Sequence, residues 1–150
     1  MKKKSKVIII IAVVITIICV IGVMKLMKGY TLPERAGLVS GLSVPDNAKV
    51  IKHDEYWGLA NGYFYLELQL EKKQLDEIVE EAKTKREYLP GDKIRLDDLL
   101  WYLQDKYDLP KDLSKVYYWY EKAKSSDPLR YTIVLIDIEN NKLVVFVSDS

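Results

Sequence analysis

The 150-residue chain holds one cysteine, one histidine and two phenylalanines, and each scarcity closes off a class of chemistry. Cys19 is alone, so no disulfide can form within the chain and the part beyond it must hold together by packing. His53 is alone as well, which removes the second imidazole that a histidine-based metal site would use. No Gly-x-Ser-x-Gly elbow is present, and Ser114, Ser125 and Ser126 fall in polar stretches. Neither a catalytic residue, a metal ligand set nor a cofactor is therefore expected. Acids are missing before Gly29, where six of the 23 lysines and arginines lie. Residues 30–150 are left with 17 cations against 22 acids, a net charge of −5. Such a surface is repelled by phosphate backbones, which excludes nucleic acid as an expected partner.

What the chain does have is an apolar run over residues 7–24, behind Lys2, Lys3, Lys4 and Lys6 and broken only by Thr16 and Cys19. As a helix the run measures roughly 27 Å, close to the hydrocarbon thickness of a bilayer. A cleaved signal peptide is the competing reading, but its apolar core is about 7–15 residues long and is followed by small residues. Here Met24, Lys25, Leu26, Met27 and Lys28 follow. A buried core helix is disfavoured by the same length. Four lysines precede the run and two follow, so the positive-inside bias predicts a cytoplasmic N-terminus and an exported C-terminal domain. Tyr30 suits the membrane interface.

The expected organisation is a basic tail at residues 1–6, a transmembrane anchor at 7–28, a linker at 29–47 and an extracytoplasmic domain at 48–150. Pro33, Gly37, Gly41 and Pro45 are spaced too closely for a helix, hence the linker. Residues 48–52 predict a short strand. The Asn61-Gly62 pair signals a turn into a strand whose alternation puts Phe64, Leu66, Leu68 and Leu70 on one face. Leu75, Ile78, Val79 and Ala82 predict a helix over residues 72–87, stopped by Pro90-Gly91. Leu96, Leu99, Leu100, Leu103 and Tyr107 predict a second over 96–107, closed by Asp108-Leu109-Pro110. Strands are expected at 116–120, 131–138 and 143–147, the last two joined at Asn140-Asn141. The sum is an α+β domain: an antiparallel sheet of four or five strands with two helices packed on one face. Its expected core includes Leu66, Leu68, Ile78, Val79, Leu99, Leu103, Ile133, Leu135 and Val145.

His53, Asp54 and Glu55 form the one cluster of potential acid-base groups, but strand alternation lets only His53 and Glu55 share a face. The pairs Asp97-Asp98 and Glu80-Glu81 point in different directions on a helix, so they read as solvated or capping groups rather than a glycosidase pair. The aromatic residues say more: 11 Tyr and 3 Trp, gathered at Tyr56-Trp57, Trp101-Tyr102 and Tyr117-Tyr118-Trp119-Tyr120. Tyr117 and Trp119 share one strand face and Tyr118 and Tyr120 the other, so one set should be core. The other either packs under a loop or lies exposed as a stacking platform for a sugar or a partner protein, packing being the commoner outcome for such side chains. Trp57, Tyr117 and Trp119 are accordingly the candidate binding residues.

A Val44-Pro45 pair before a strand, a turn with Gly58 and Asn61-Gly62, a Leu89-Pro90 pair, the aromatic strand and a hairpin from Arg130-Tyr131 through Asp137, Asn141 and Leu143 form a pattern. Over most of residues 44–150 it resembles a group of small exported proteins of Gram-positive bacteria, membrane- or lipid-anchored, whose function is not established. The resemblance implies an anchored domain on the outer face of a bacterial cell membrane. The group's Gly-rich turn often contains His and Asp, absent here, so no catalytic or metal role carries over to residues 57–62. The expected function is a membrane-tethered interaction module, non-catalytic, held in the bilayer by residues 7–28 and binding an envelope protein or peptide. The alternatives are an envelope-acting hydrolase, or an assembly subunit recruited through small residues of its membrane helix, Ala12, Thr16, Cys19 and Gly22.

Overall fold

The computed structural model describes residues 29–58, 62–91, 107, 110, 112–122 and 131–149. The chain divides into two compact units, residues 1–31 and 32–150. The expected anchor at 7–28 lies outside the described residues, as does the expected helix at 96–107 apart from Tyr107. Among the described residues, no helix is long and apolar enough to cross a membrane.

The second unit is α+β. Its chain order is α1 (Leu32–Ser40), β1 (Lys49–Trp57), β2 (Gly62–Gln69), α2 (Lys72–Thr84), β3 (Leu89–Pro90), a 3-10 turn (Leu113–Lys115), β4 (Val116–Lys122), β5 (Tyr131–Asp137) and β6 (Lys142–Asp149). The strands form one antiparallel sheet in the order β1-β2-β6-β5-β4-β3. Six strands replace the expected four or five because Leu89–Pro90 pairs with Tyr118 and Tyr117 at the margin. Two residues are too few to show a period of two. Proline is tolerated there because an edge strand has a side that needs no N–H.

The expected linker is a second correction, since residues 32–40 are helical. Pro33 occupies the first turn, where its missing N–H would have had no partner in any case. Gly41 follows the helix at φ +64°, the left-handed conformation that glycine adopts without a Cβ clash. The end is tied down from afar: Tyr88 donates its hydroxyl to the Ser40 carbonyl at 2.8 Å, and Lys85 Nζ donates to the Gly41 carbonyl. In α2 the expected residues Leu75, Ile78, Val79 and Ala82 are buried, and Gln74 accepts from the Glu71 N–H at 2.9 Å across the first turn. The helix stops at Thr84, short of the expected 87 and well before Pro90-Gly91.

Both described helices pack on one face of the sheet, where Ala36, Leu75, Ile78, Val79 and Ala82 meet Phe64, Leu66, Leu68, Leu70, Val134, Ile136, Leu143 and Val145. The opposite face is buried too, around Tyr65, Tyr107, Val116, Tyr118, Tyr131, Ile133, Leu135, Val144 and Phe146. Of the expected core, Leu99 and Leu103 lie outside the described residues and the other seven are buried. The near-continuous apolar run of β5 fits a strand covered on both sides. The β5–β6 turn forms where expected, with Asn141 at φ 54° and the Asp137 carboxylate accepting from the Asn140 N–H at 2.9 Å.

Candidate functional site

β1 is the outermost strand, and it is exposed along its whole length apart from the partly covered Glu55. Lys49, Asp54 and Glu55 are poor strand formers. The strand is imposed instead by β2, whose buried residues it pairs with from Lys49↔Gln69 to Trp57↔Gly62. A bulge at Ile51 shifts the register between Val50 and Lys52. From Lys52 onward the alternation is regular: His53, Glu55 and Trp57 lie on the helix-bearing face, and Lys52, Asp54 and Tyr56 on the other.

On the helix-bearing face α1 supplies Arg35. Its guanidinium makes a bidentate pair with Glu55, both N–H···O distances 2.8 Å, and lies 4.2 Å from the centre of the Phe64 ring. Glu55 also accepts from the Trp57 indole N–H, and His53 Nε2 lies 3.1 Å from its Oε2. Hydrogen bonding by Arg35 is the main reason the Glu55 carboxyl falls to about 2, with desolvation opposing and Trp57 assisting. Glu55 is thus a fixed anion that holds its neighbours rather than a proton donor near neutrality. On the opposite face, Tyr63 donates to Asp54 at 2.8 Å, Lys52 Nζ stands 5.3 Å from the centre of the Tyr65 ring, and Tyr56 and Tyr63 pack at 6.4 Å.

The candidate binding residues separate into two places. Trp57 stands at the end of β1, 51% exposed, with its ring over Gly62; a Cβ on that glycine would lie 2.3 Å from the Trp57 ring. Tyr117 and Trp119 are on β4, with β2, β6 and β5 between, roughly 19 Å away at the usual strand spacing. They share the helix-bearing face as expected and are half-buried against its core, while Tyr118 is buried opposite. Trp119 packs on Tyr88 at 6.0 Å and lines a hollow of about 260 Å³ with Ser40, Gly41, Lys85, Glu87 and Tyr88.

Two groups escaped the sequence reading. Arg35 lies in a segment read as linker, twenty residues from its partner Glu55, and no local pattern signals that pairing. Glu67 and Asp137 are buried polar residues on the tyrosine-rich face. Glu67 accepts from Lys142 at 2.6 Å and from Tyr65 at 3.2 Å, while Asp137 accepts from Tyr107 and from Asn140. Burial beside these carboxylates pushes the Tyr65 and Tyr107 hydroxyls far above their usual range. The flanking Tyr63 and Tyr65 were the available signal that the Glu67 side of β2 is not bare to water.

Among the described residues no group of three acids, histidines or cysteines could hold a metal ion. The acid pair Glu80-Glu81 is occupied by surface ion pairs, Glu80 with Lys83 at 2.6 Å and Glu81 with Lys85 at 3.5 Å. Ser114 is bonded to Asp112 at 2.6 Å in the 3-10 turn. No family model, no curated protein and no solved structure matches this chain.

Proposed function

We propose that this protein is a membrane-tethered, extracytoplasmic interaction module that performs no catalysis and docks an envelope protein or peptide along the outer edge of β1. The observation that carries the reading is the asymmetry of the sheet: among the described residues one margin is a two-residue strand, the other a nine-residue strand exposed at every residue but the partly covered Glu55. An extended chain can add to such an edge by main-chain hydrogen bonds, with side-chain contacts supplying selectivity. Tyr56 and Trp57, 56% and 51% exposed, stand beside the edge as aromatic anchors. The apolar run at 7–24 and its flanking lysines support the tether and its orientation.

The hydrolase alternative draws no support from residues 53–55. His53 and Asp54 are exposed, Glu55 is held in an ion pair with Arg35, and neither of the two described surface hollows is lined by any of them. A photo-crosslinking residue placed at Tyr56 in the full chain, in membranes, tests docking directly. Adducts are expected there and not at Glu77 on the solvent side of α2. Equal labelling at both positions, or none at Tyr56, would sink the reading.

A further inference from the structure

We propose that the occupant of the β1 edge is β1 of a second copy of this chain, paired antiparallel about a two-fold axis at His53. The inference rests on the docking reading above and narrows it to one partner. It follows from the charges along the strand. When two identical strands pair antiparallel in a continuous sheet, the axis passes through one residue, and positions equally spaced on either side face each other on the same side of the sheet. An axis at Lys52, Asp54 or Glu55 sets that charge against its own copy, which opposes pairing. An axis at Lys49, Val50, Tyr56 or Trp57 leaves most of the strand unpaired, and one at Ile51 falls on the bulge.

His53 alone remains. With the axis there, Lys52 of each copy faces Asp54 of the other, two cross-strand ion pairs on the tyrosine-rich face. Tyr63 and the Tyr65 ring already hold Asp54 and Lys52 on that face beside the edge, and a carboxylate has acceptor capacity for more than one donor. The charges and bulge that deter unrelated strands thus leave one self-pairing register free of repulsion. The axis also keeps both α1 helices on the same side of the joined sheet. Tethering in one membrane would raise the local concentration for a pairing this short.

The test uses the full chain in membranes with Cys19→Ser as background and single cysteines introduced along β1. Directly opposite residues have Cα atoms about 4.5–5.5 Å apart, within disulfide reach. His53→Cys should therefore crosslink to its own copy under mild oxidation. Tyr56→Cys, about 20 Å from its copy in this register, should not. A mixture of Lys52→Cys and Asp54→Cys chains should form the mixed dimer, which checks the register without altering His53. Equal dimerisation at His53 and Tyr56 would mean random collision and overturn the proposal. If neither His53→Cys nor the mixture crosslinks, but the His53→Cys thiol is shielded from maleimide until the membranes are dissolved, another partner occupies the edge; self-pairing is then wrong and docking stands. Absence of every crosslink with free labelling overturns both.

Discussion

Glu55 has the most constrained side chain on β1, and its behaviour with pH is the clearest consequence of its surroundings. Its carboxyl titrates at about 2 when folded against an ordinary 4.5. A depressed folded value means that the stabilisation is complete above the ordinary value and disappears as pH falls from about 4.5 to about 2. Arg35→Ala should therefore cost about 1–2 kcal/mol in urea unfolding at pH 7, since the pair is bidentate but partly solvated. The difference from the parent chain should shrink steadily below pH 4.5 and be lost near pH 2. A difference that stays constant over that range would show that Arg35 acts by packing on Phe64 and not through Glu55. The double variant Arg35→Ala, Glu55→Ala should lose less than the two single changes together. Gly91 offers a second test at a single position. A Cβ there would lie 2.0 Å from the Leu113 carbonyl oxygen and 3.0 Å from that of Val116, both backbone atoms that cannot swing aside. Gly91→Ala should lower stability by about 1–3 kcal/mol, read from thermal or denaturant unfolding. None of this was legible locally, because each partner lies twenty or more residues away in sequence.

Elements divide by where their stabilisation comes from. α2 carries its own instructions: an apolar stripe at helical spacing, a closed first turn and lysines near its end. Sequence periodicity found it, with an error of three residues at its C-terminus. β2, β5 and β6 were equally readable, since their alternation or continuous apolarity is the pattern of buried strands. α1 was not. Pro33, Gly37 and the following Gly41 argue against a helix one by one, and only their positions in the first turn, beside the Leu42 carbonyl and after the last turn make them compatible. The helix is held by Ala36 in the core and by Tyr88 and Lys85 at its end. Tyr88→Phe should leave the buried Ser40 carbonyl without this donor and cost about 1–2 kcal/mol. Hydrogen exchange should quicken in α1 while β5 and β6 keep their protection. Uniform loss of protection would mean that α1 is no separate contributor.

For the whole molecule, the location proposed from the apolar run and the lysines leads to a protease test that the fold sharpens. Since residues 32–40 are a packed helix and not a linker, cutting should concentrate at the exposed residues 29–31. Protease added to intact wall-stripped cells should then release a soluble fragment beginning close to Leu32. Full protection until lysis would place the domain inside the cell. By itself the sequence determined the elements with a strong internal period, the α+β class and most of the core, because hydrophobic spacing along a chain is a local property. It also determined the net charge of residues 30–150 and the lack of any disulfide within the chain. Only the tertiary structure decided the continuation of the outer strand from Lys52 to Trp57 and its place at the edge, α1, the buried pairs of Glu67 and Asp137, and the separation of Trp57 from Tyr117 and Trp119. These depend on which residues distant in sequence become neighbours: β1 is a strand because β2 offers it a ladder, and Arg35 has a role because the fold sets it over Phe64 beside Glu55.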